Sequence, residues 1–195
     1  MPKIAAASVA EHRAQVQARL VDAAEALIRA GEPLTAGAVT EQAGIARNSI
    51  YRYVDSVDGL RILVVERYLP AWISAVTAAT ADRAPADAVV GWVEANLDQA
   101  HTSGHTWFAA AARAGSDSAA ADEQADRAHA SVRGPLLDAW SALLPSQDEV
   151  RVAVALTVGI LDAGFGQLDE PVPYDTVRSM TSAAACSLVT SLYAP

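Results

Sequence analysis

Residues 33–60, PLTAGAVTEQAGIARNSIYRYVDSVDGL, constrain the fold more than any other part of the sequence. They contain two short helical patterns, from Thr35 to Ala43 and from Ala46 to about Val54, which Gly44 separates. Two helices joined by a turn of about three or four residues that contains glycine form a helix-turn-helix, whose second helix enters a DNA major groove. The spacing therefore predicts a helix-turn-helix.

Small apolar and donor-bearing residues stand where this motif needs them. Thr35 can accept a hydrogen bond from the free N–H groups that open the first helix, and Gly44 permits the backbone of a tight turn. Val39, Ala43 and Ile45 would pack the two helices together. The side chains after the turn carry donors that suit phosphates and base edges. The predicted DNA-binding residues are Thr35, Arg47, Asn48, Ser49, Tyr51, Arg52 and Tyr53.

The segment AGIARNSIYRYVDSVDGL, residues 43–60, resembles the DNA-binding signature of TetR-family (tetracycline-repressor-like) transcriptional regulators. An Ala-Gly-aliphatic turn, the triplet Tyr51-Arg52-Tyr53 and Leu60 carry the resemblance. It implies a homodimer that binds a palindromic operator in double-stranded DNA and acts as a repressor. It also implies release from the operator by a small apolar or aromatic effector.

Three positions depart from the family pattern. Ala46 stands where a Ser usually caps the recognition helix, Asn48 where a Gly is usual, and Val57 where a Lys usually opens the next helix. In the family that Lys helps to hold a phosphate, so its absence should lower the affinity for DNA and weaken its salt dependence. Arg47 and Arg52 are predicted to take over this electrostatic contact.

Composition predicts an all-α protein of the cytoplasm. Apolar residues make up 52% of the 195 residues, alanine is plentiful and clusters of turn residues are few. No uninterrupted apolar run reaches the ~18 residues of a membrane span, so no membrane partner is predicted. The net charge of −9 lies in residues 71–195, because residues 1–70 carry eight basic and eight acidic side chains. An N-terminal region without net charge, here called the head, can still bind DNA through locally placed arginines.

Helical periodicity places breaks near residues 55 and 70, and the resemblance implies a DNA-binding domain at 1–55, a connecting helix at about 56–69, and a ligand-binding and dimerisation domain at 70–195. A helix over residues 11–30, after a loose N-terminal arm, would close a three-helix core with the helix-turn-helix. Pro70 is predicted to end the connecting helix, because proline lacks the N–H that a helix interior needs.

Further helices are predicted beyond Pro70, with breaks before Pro85, near Gly104 and at Gly134-Pro135. They cover 71–83, 85 to the break at Gly104, 107–115, a polar stretch from about 116 or 118, 136–144, 148–166 and 174–193. The valines of 148–166 also alternate as in a strand. Length, alanine content and the lack of a partner strand favour a helix there.

The last two predicted helices are long, apolar and rich in small residues that allow close packing. In the family such a pair meets its copy in a four-helix dimer interface. Two heads related by a two-fold axis would read half-sites about 34–36 Å apart. The predicted dimer-interface residues are Val154, Ala155, Val158, Gly159, Val177, Met180, Ala184 and Leu188.

Aromatic residues in the middle of the chain, with a few polar neighbours, offer what a small-molecule pocket requires. Each aromatic residue taken alone could instead belong to the core. The predicted ligand-binding residues are Trp72, Trp92, Asn96, His101, His105, Trp107, Phe108, Trp140 and Phe165.

Metal binding, cofactors and catalysis have little support. His101 and His105 are four apart, as zinc ligands on a helix can be, but Gly104 between them is predicted to end that helix. Cys186, the only cysteine, is predicted to be a buried small hydrophobic residue. No Ser-His-Asp order, Gly-rich phosphate loop or paired carboxylate in an apolar context stands out, so no metal, cofactor or enzymatic activity is predicted.

Three interpretations remain open from the sequence. The first is a ligand-responsive repressor whose bound effector holds the two heads at a spacing that DNA does not accept. The second is a DNA-binding regulator of the same fold without a small-molecule inducer. The third is a helical dimer that has lost DNA binding, for which Val57 and the neutral head are the hints.

Overall fold

Helices are the only regular structure in the described residues, 6–104 and 119–193 of a computed structural model. They are α1 (Ala6–Arg29), α2 (Ala36–Ala43), a 3₁₀ segment (Arg47–Arg52), α3 (Val57–Thr80), α4 (Pro85–Ser103), α5 (Ala119–Leu143), α6 (Gln147–Gln167) and α7 (Tyr174–Leu192). The all-α prediction is confirmed, and residues 148–166 are helical rather than a strand. The short helix predicted at 107–115 lies outside the described residues.

The chain divides into two compact units. One contains α1, α2, the 3₁₀ segment and α3 as far as Arg67, together with residues 119–122. The other contains α3 from Tyr68, α4, the remainder of α5, α6 and α7.

In the first unit, α1 packs on α2, and α2 packs on the 3₁₀ segment. Helix α1 begins at Ala6 instead of Glu11, because the alanines near its start favour helix over a loose arm. Arg67 of α3 binds Asp22 and Glu25 of α1 at 2.8 and 3.0 Å. The buried apolar residues are Val16, Leu20, Val21, Ala23, Ala24, Ile28, Val39, Ala43, Ile50, Val54, Leu60 and Val64.

In the second unit, α4 packs against α6 and α7, which also pack against each other. A Cβ atom on Gly164 of α6 would lie 2.8 Å from Thr181 Oγ1 of α7 and 3.2 Å from Leu97 Cδ2 of α4. Glycine is therefore what lets these three helices meet. The largest fully buried side chains of this unit are Trp140, Leu97, Leu136, Val76, Val89, Val93 and Val150.

Two prolines lie inside helices that they were predicted to end or interrupt. Pro70 is within α3 and Pro135 within α5. Proline removes one backbone hydrogen bond, and burial of the apolar residues that follow, such as Trp72 after Pro70 and Leu136 after Pro135, offsets that loss. By length and composition alone, α3 is the one described helix that could cross a membrane.

Candidate nucleic-acid interface

The turn after α2 has the backbone that the sequence predicts. Thr35 precedes α2, and its hydroxyl oxygen accepts a hydrogen bond from the Ala38 N–H at 3.2 Å. Gly44 follows α2 with φ 66° and ψ 39°, a left-handed conformation that glycine adopts readily. The Ile45 N–H then donates to the Thr40 carbonyl at 3.0 Å and closes the turn.

The second helix of the motif is tighter than predicted. Residues Arg47–Arg52 form a 3₁₀ helix, where an α-helix was predicted from Ala46 to about Val54. Ala46 has no side-chain oxygen to cap the segment, and six residues are too few for a stable α-helix of their own. The buried Ile50 anchors the segment in the core of the first unit.

Exposure divides the predicted DNA-binding residues into two groups. Five are exposed: Thr35, Arg47, Asn48, Tyr51 and Arg52. Tyr51 leaves 64% of its surface accessible, which is unusual for an aromatic side chain and suits a contact with a partner. Ser49 and Tyr53 are half-buried, and the hydroxyl of the exposed Thr35 is already used to cap α2.

Ion pairing distinguishes the arginines of the first unit. Three of them bind carboxylates within that unit: Arg29 binds Glu25, Arg61 lies 3.6 Å from Asp58, and Arg67 binds Asp22 and Glu25. Within the described part of the chain, Arg47 and Arg52 have no carboxylate oxygen within 4.0 Å. Their charges are therefore available to an anionic partner.

The beginning of α3 is acidic. Val57 is half-buried, while Asp55 and Asp58 are exposed on either side of it. The Ser56 hydroxyl accepts a hydrogen bond from the Gly59 N–H at 2.9 Å and caps the helix. Because carboxylates repel phosphates, this end of α3 is a poor place for a DNA backbone to approach.

Three tryptophans of the predicted ligand site have internal hydrogen-bond partners. Trp72 donates its indole N–H to Asn96 Oδ1 at 2.8 Å, and Asn96 Nδ2 donates to the Trp92 carbonyl at 2.8 Å. Trp92 donates to a carbonyl of α5 at 2.7 Å, and Trp140 donates to a threonine hydroxyl at 3.0 Å. All four side chains are buried. These contacts give them a role in the core of the second unit.

The remaining predicted ligand residues are dispersed. Phe165 is half-buried against the core, and the exposed His101 stacks on Tyr174 with ring centroids 3.9 Å apart. His105, Trp107 and Phe108 lie outside the described residues. Within the described ranges, no three His, Cys, Asp or Glu side chains are grouped as metal ligands.

A polar cluster between α4 and α7 was not predicted. Arg178 donates to Asp98 at 3.0 Å and to Glu94 at 3.1 Å, and the Tyr174 hydroxyl donates to Asp98. Burial, and then the Asp98 carboxylate, raise the pKa of the Tyr174 phenol. The only signal in the sequence is the four-residue spacing within each pair, which puts Glu94 with Asp98 and Tyr174 with Arg178 on one helix face. The cluster holds α4 against α7.

The outward side of α6 and α7 carries exposed apolar residues. Leu156 is 47% and Met180 69% exposed. Of the predicted interface residues, Ala155, Gly159, Met180 and Ala184 are exposed, Val154, Val158 and Leu188 are half-buried, and Val177 is buried.

Two residues of α7 differ from the expected burial. Val177 lies on the inward stripe of α7 with Thr181, Ala185 and Val189, so its surface is used within the unit. Cys186 is exposed, contrary to prediction. It follows Ala185 by one residue, or about 100° around the helix, and so points away from the core.

Comparison with known proteins identifies the fold. No protein-family model and no curated protein matches the sequence. The structure is similar to that of a TetR family transcriptional regulator, PfmR from Thermus thermophilus, at 13% identity and a TM-score of 0.66, covering 88% of this chain and 96% of that chain. It is also similar to a putative TetR family regulator from Shewanella sp. PV-4, at 14% identity and a TM-score of 0.64, covering 92% and 98%.

A third similar structure is that of RolR in complex with resorcinol, at 18% identity and a TM-score of 0.55, covering 93% of this chain and 96% of that chain. Each alignment spans both units of the chain. The protein therefore has a TetR-like fold, while identities this low do not carry over function.

Proposed function

We propose that this chain, which has the TetR-like fold, is a DNA-binding transcriptional regulator. The 3₁₀ segment carries the proposal, because Arg47 and Arg52 are exposed and free of carboxylates within the described residues, beside exposed Asn48 and Tyr51. Guanidinium groups bind phosphates and guanine, and an Asn amide can bind adenine. We assign DNA binding to residues 1–55 and the dimer and effector sites to 70–195.

The double variant Tyr51→Ala, Arg52→Ala should bind specific DNA at least about 30-fold more weakly, because each lost base contact is worth roughly 1–3 kcal/mol. The specific duplex is selected from random sequence by the wild-type protein, and affinity is measured by fluorescence anisotropy. Both residues are exposed, so the melting temperature should not change. Arg151→Ala, which removes an exposed charge from α6, is the matched control.

Two results would count against this assignment. Unchanged DNA binding in the double variant would refute the assignment of the 3₁₀ segment as the part of the chain that recognises DNA. Wild-type protein that binds selected duplexes no more tightly than scrambled DNA would favour a helical protein that has lost specific DNA binding.

A homodimer that reads a palindromic operator is the second part of the proposal. Its support is the outward apolar side of α6 and α7, where Leu156 and Met180 flank the small residues Ala155, Gly159 and Ala184. Small residues let two helices approach closely, and large exposed apolar side chains gain most from being covered. Val177, which is buried in its own unit, is left out of the interface.

Gly159→Arg should convert the dimer to a monomer. A Cβ atom on Gly159 meets no atom within 4 Å inside the chain, so the variant should fold, while the guanidinium would stand in the interface. Sedimentation velocity measures the change, and operator affinity should fall with it. Ala142→Arg, at an exposed position of α5, is the control. A Gly159→Arg protein that stays dimeric would show that the interface lies elsewhere.

Repression, and release from DNA by a small apolar or aromatic effector, complete the proposal. The resorcinol bound to RolR supports an effector of this kind. The alternative, a regulator without a small-molecule inducer, is favoured by the indole N–H groups of Trp72, Trp92 and Trp140, which already have partners. A thermal-shift screen separates the two, because a pocket ligand raises the melting temperature as its concentration exceeds its Kd.

A further inference from the structure

We infer that Arg47 binds the phosphate backbone of DNA rather than a base edge, and that Gly37 of α2 provides the space in which its guanidinium lies. The inference rests on the proposed DNA-binding function and assigns Arg47 a role within it. The base-reading contacts then fall to the other exposed residues of the segment, Asn48, Tyr51 and Arg52.

The position of the Arg47 side chain is the first step. A Cβ atom on Gly37 would lie 3.9 Å from Cζ and 4.0 Å from Nε of Arg47, and 3.9 Å from Thr35 Oγ1. The guanidinium therefore lies against the first turn of α2, over the bare backbone of Gly37. A larger side chain at position 37 would have to displace it.

The second step is the side of the motif that this turn occupies. In a helix-turn-helix the first helix crosses the DNA backbone, while the second lies in the groove with its N-terminal residues on base edges. Arg47 is the first residue of the second helix, but its guanidinium lies beside Gly37 of α2. Helix α2 is the first helix, so a guanidinium on its first turn is beside the helix that meets the backbone. Guanidinium groups match phosphate oxygens through paired N–H donors.

The third step is the charge around the motif. Within the described residues, no carboxylate oxygen lies within 4.0 Å of Arg47, so its charge is not neutralised internally. The beginning of α3 presents Asp55 and Asp58, and Arg61 lies 3.6 Å from Asp58. The positive charge that neutralises a DNA phosphate is therefore expected beside α2, where Arg47 lies, rather than at the start of α3.

The test compares a selected duplex with a scrambled duplex of the same length over a range of salt concentrations. Arg47→Ala should weaken binding to both by the same factor, so that the ratio of the two affinities is unchanged. The slope of log K against log salt should become shallower by roughly 0.9 for each head on the DNA. Arg52→Ala should instead lower the ratio, because it removes a base contact.

Position 37 gives a second pair of variants that keeps the arginine. Gly37→Leu should displace the guanidinium and reproduce the shallower slope of Arg47→Ala. Gly37→Ala puts its Cβ at ordinary contact distance and should leave the slope as in the wild type. Circular dichroism confirms that each variant remains helical.

The outcomes separate this inference from the proposed function. A loss in Arg47→Ala confined to the selected duplex, or an unchanged slope, would overturn the phosphate role. Wild-type protein that binds both duplexes equally, with a slope that depends on Arg47, would support the inference while refuting sequence-specific regulation. Wild-type protein that binds neither duplex would refute both.

Discussion

Replacing Trp140 with alanine should lower the free energy of unfolding by about 3–5 kcal/mol. The side chain is fully buried in the core of the second unit, and its indole N–H donates to Thr157 Oγ1 at 3.0 Å. Truncation removes this hydrogen bond and leaves a cavity that neighbouring helices can fill only in part. Urea unfolding followed by circular dichroism measures the loss.

Trp140→Phe separates the hydrogen bond from the volume. It should lose only about 1–2 kcal/mol, because most of the ring remains. The Thr157 hydroxyl still donates to the Ala153 carbonyl at 2.8 Å, so it is not left without a partner. A loss below about 1 kcal/mol in Trp140→Ala would mean that the ring borders an open space, and would support the predicted assignment of Trp140 to an effector site.

Gly91→Ala is expected to destabilise the protein by about 2–3 kcal/mol. A Cβ atom at Gly91 would lie 2.5 Å from the Ala79 carbonyl oxygen and 2.9 Å from Arg83 Nη1. The arginine can rotate away, but the carbonyl belongs to the backbone of α3, so α3 and α4 would have to separate. Thermal and urea unfolding measure the change.

Gly166→Ala is the matched control, because a Cβ atom there meets no atom within 4 Å. It should stabilise α6 by about 0.5–1 kcal/mol, since alanine loses less backbone entropy than glycine. Equal effects of the two substitutions would show that α3 and α4 do not approach closely at Gly91.

Much of the fold could be predicted where one residue type determines the backbone. Thr35 caps α2, Gly44 takes the left-handed conformation of the turn, and Pro85 opens α4. Gly31 and Gly104 follow α1 and α4 with positive φ. In each case the reason is local, so the surrounding structure is not needed to find it.

The predictions that were wrong concern helix boundaries and buried faces that depend on packing between helices. Pro70 and Pro135 were assigned as helix boundaries on local grounds, but burial around them keeps α3 and α5 continuous. On α7, two stripes share the same three-to-four spacing. The stripe with Met180 and Leu188 is more apolar, yet the one with Thr181 and Ala185 faces inward. Which stripe is buried depends on α4 and α6, and periodicity alone does not contain that information.

For the candidate site too, local features could be predicted from the sequence and contacts between distant residues could not. The exposed donors of the 3₁₀ segment follow from residue type and spacing, because charged side chains after a tight turn stay in solvent. The contact of Arg47 with the first turn of α2 joins residues ten positions apart across the turn, and the Asp98–Arg178 pair joins residues eighty apart. Such contacts exist only once the helices are packed.

The 3₁₀ segment is held mainly by one buried side chain, Ile50, and its hydrogen bonds have the poorer geometry of that helix type. Segments of this kind open locally at low free energy. If the proposed function is correct, an encounter complex with any DNA can form before the segment is fully folded, whereas dissociation requires the contacts of the folded segment to break. For the DNA binding proposed above, selectivity among operators is therefore expected to depend on the rate at which a complex dissociates rather than on the rate at which it forms.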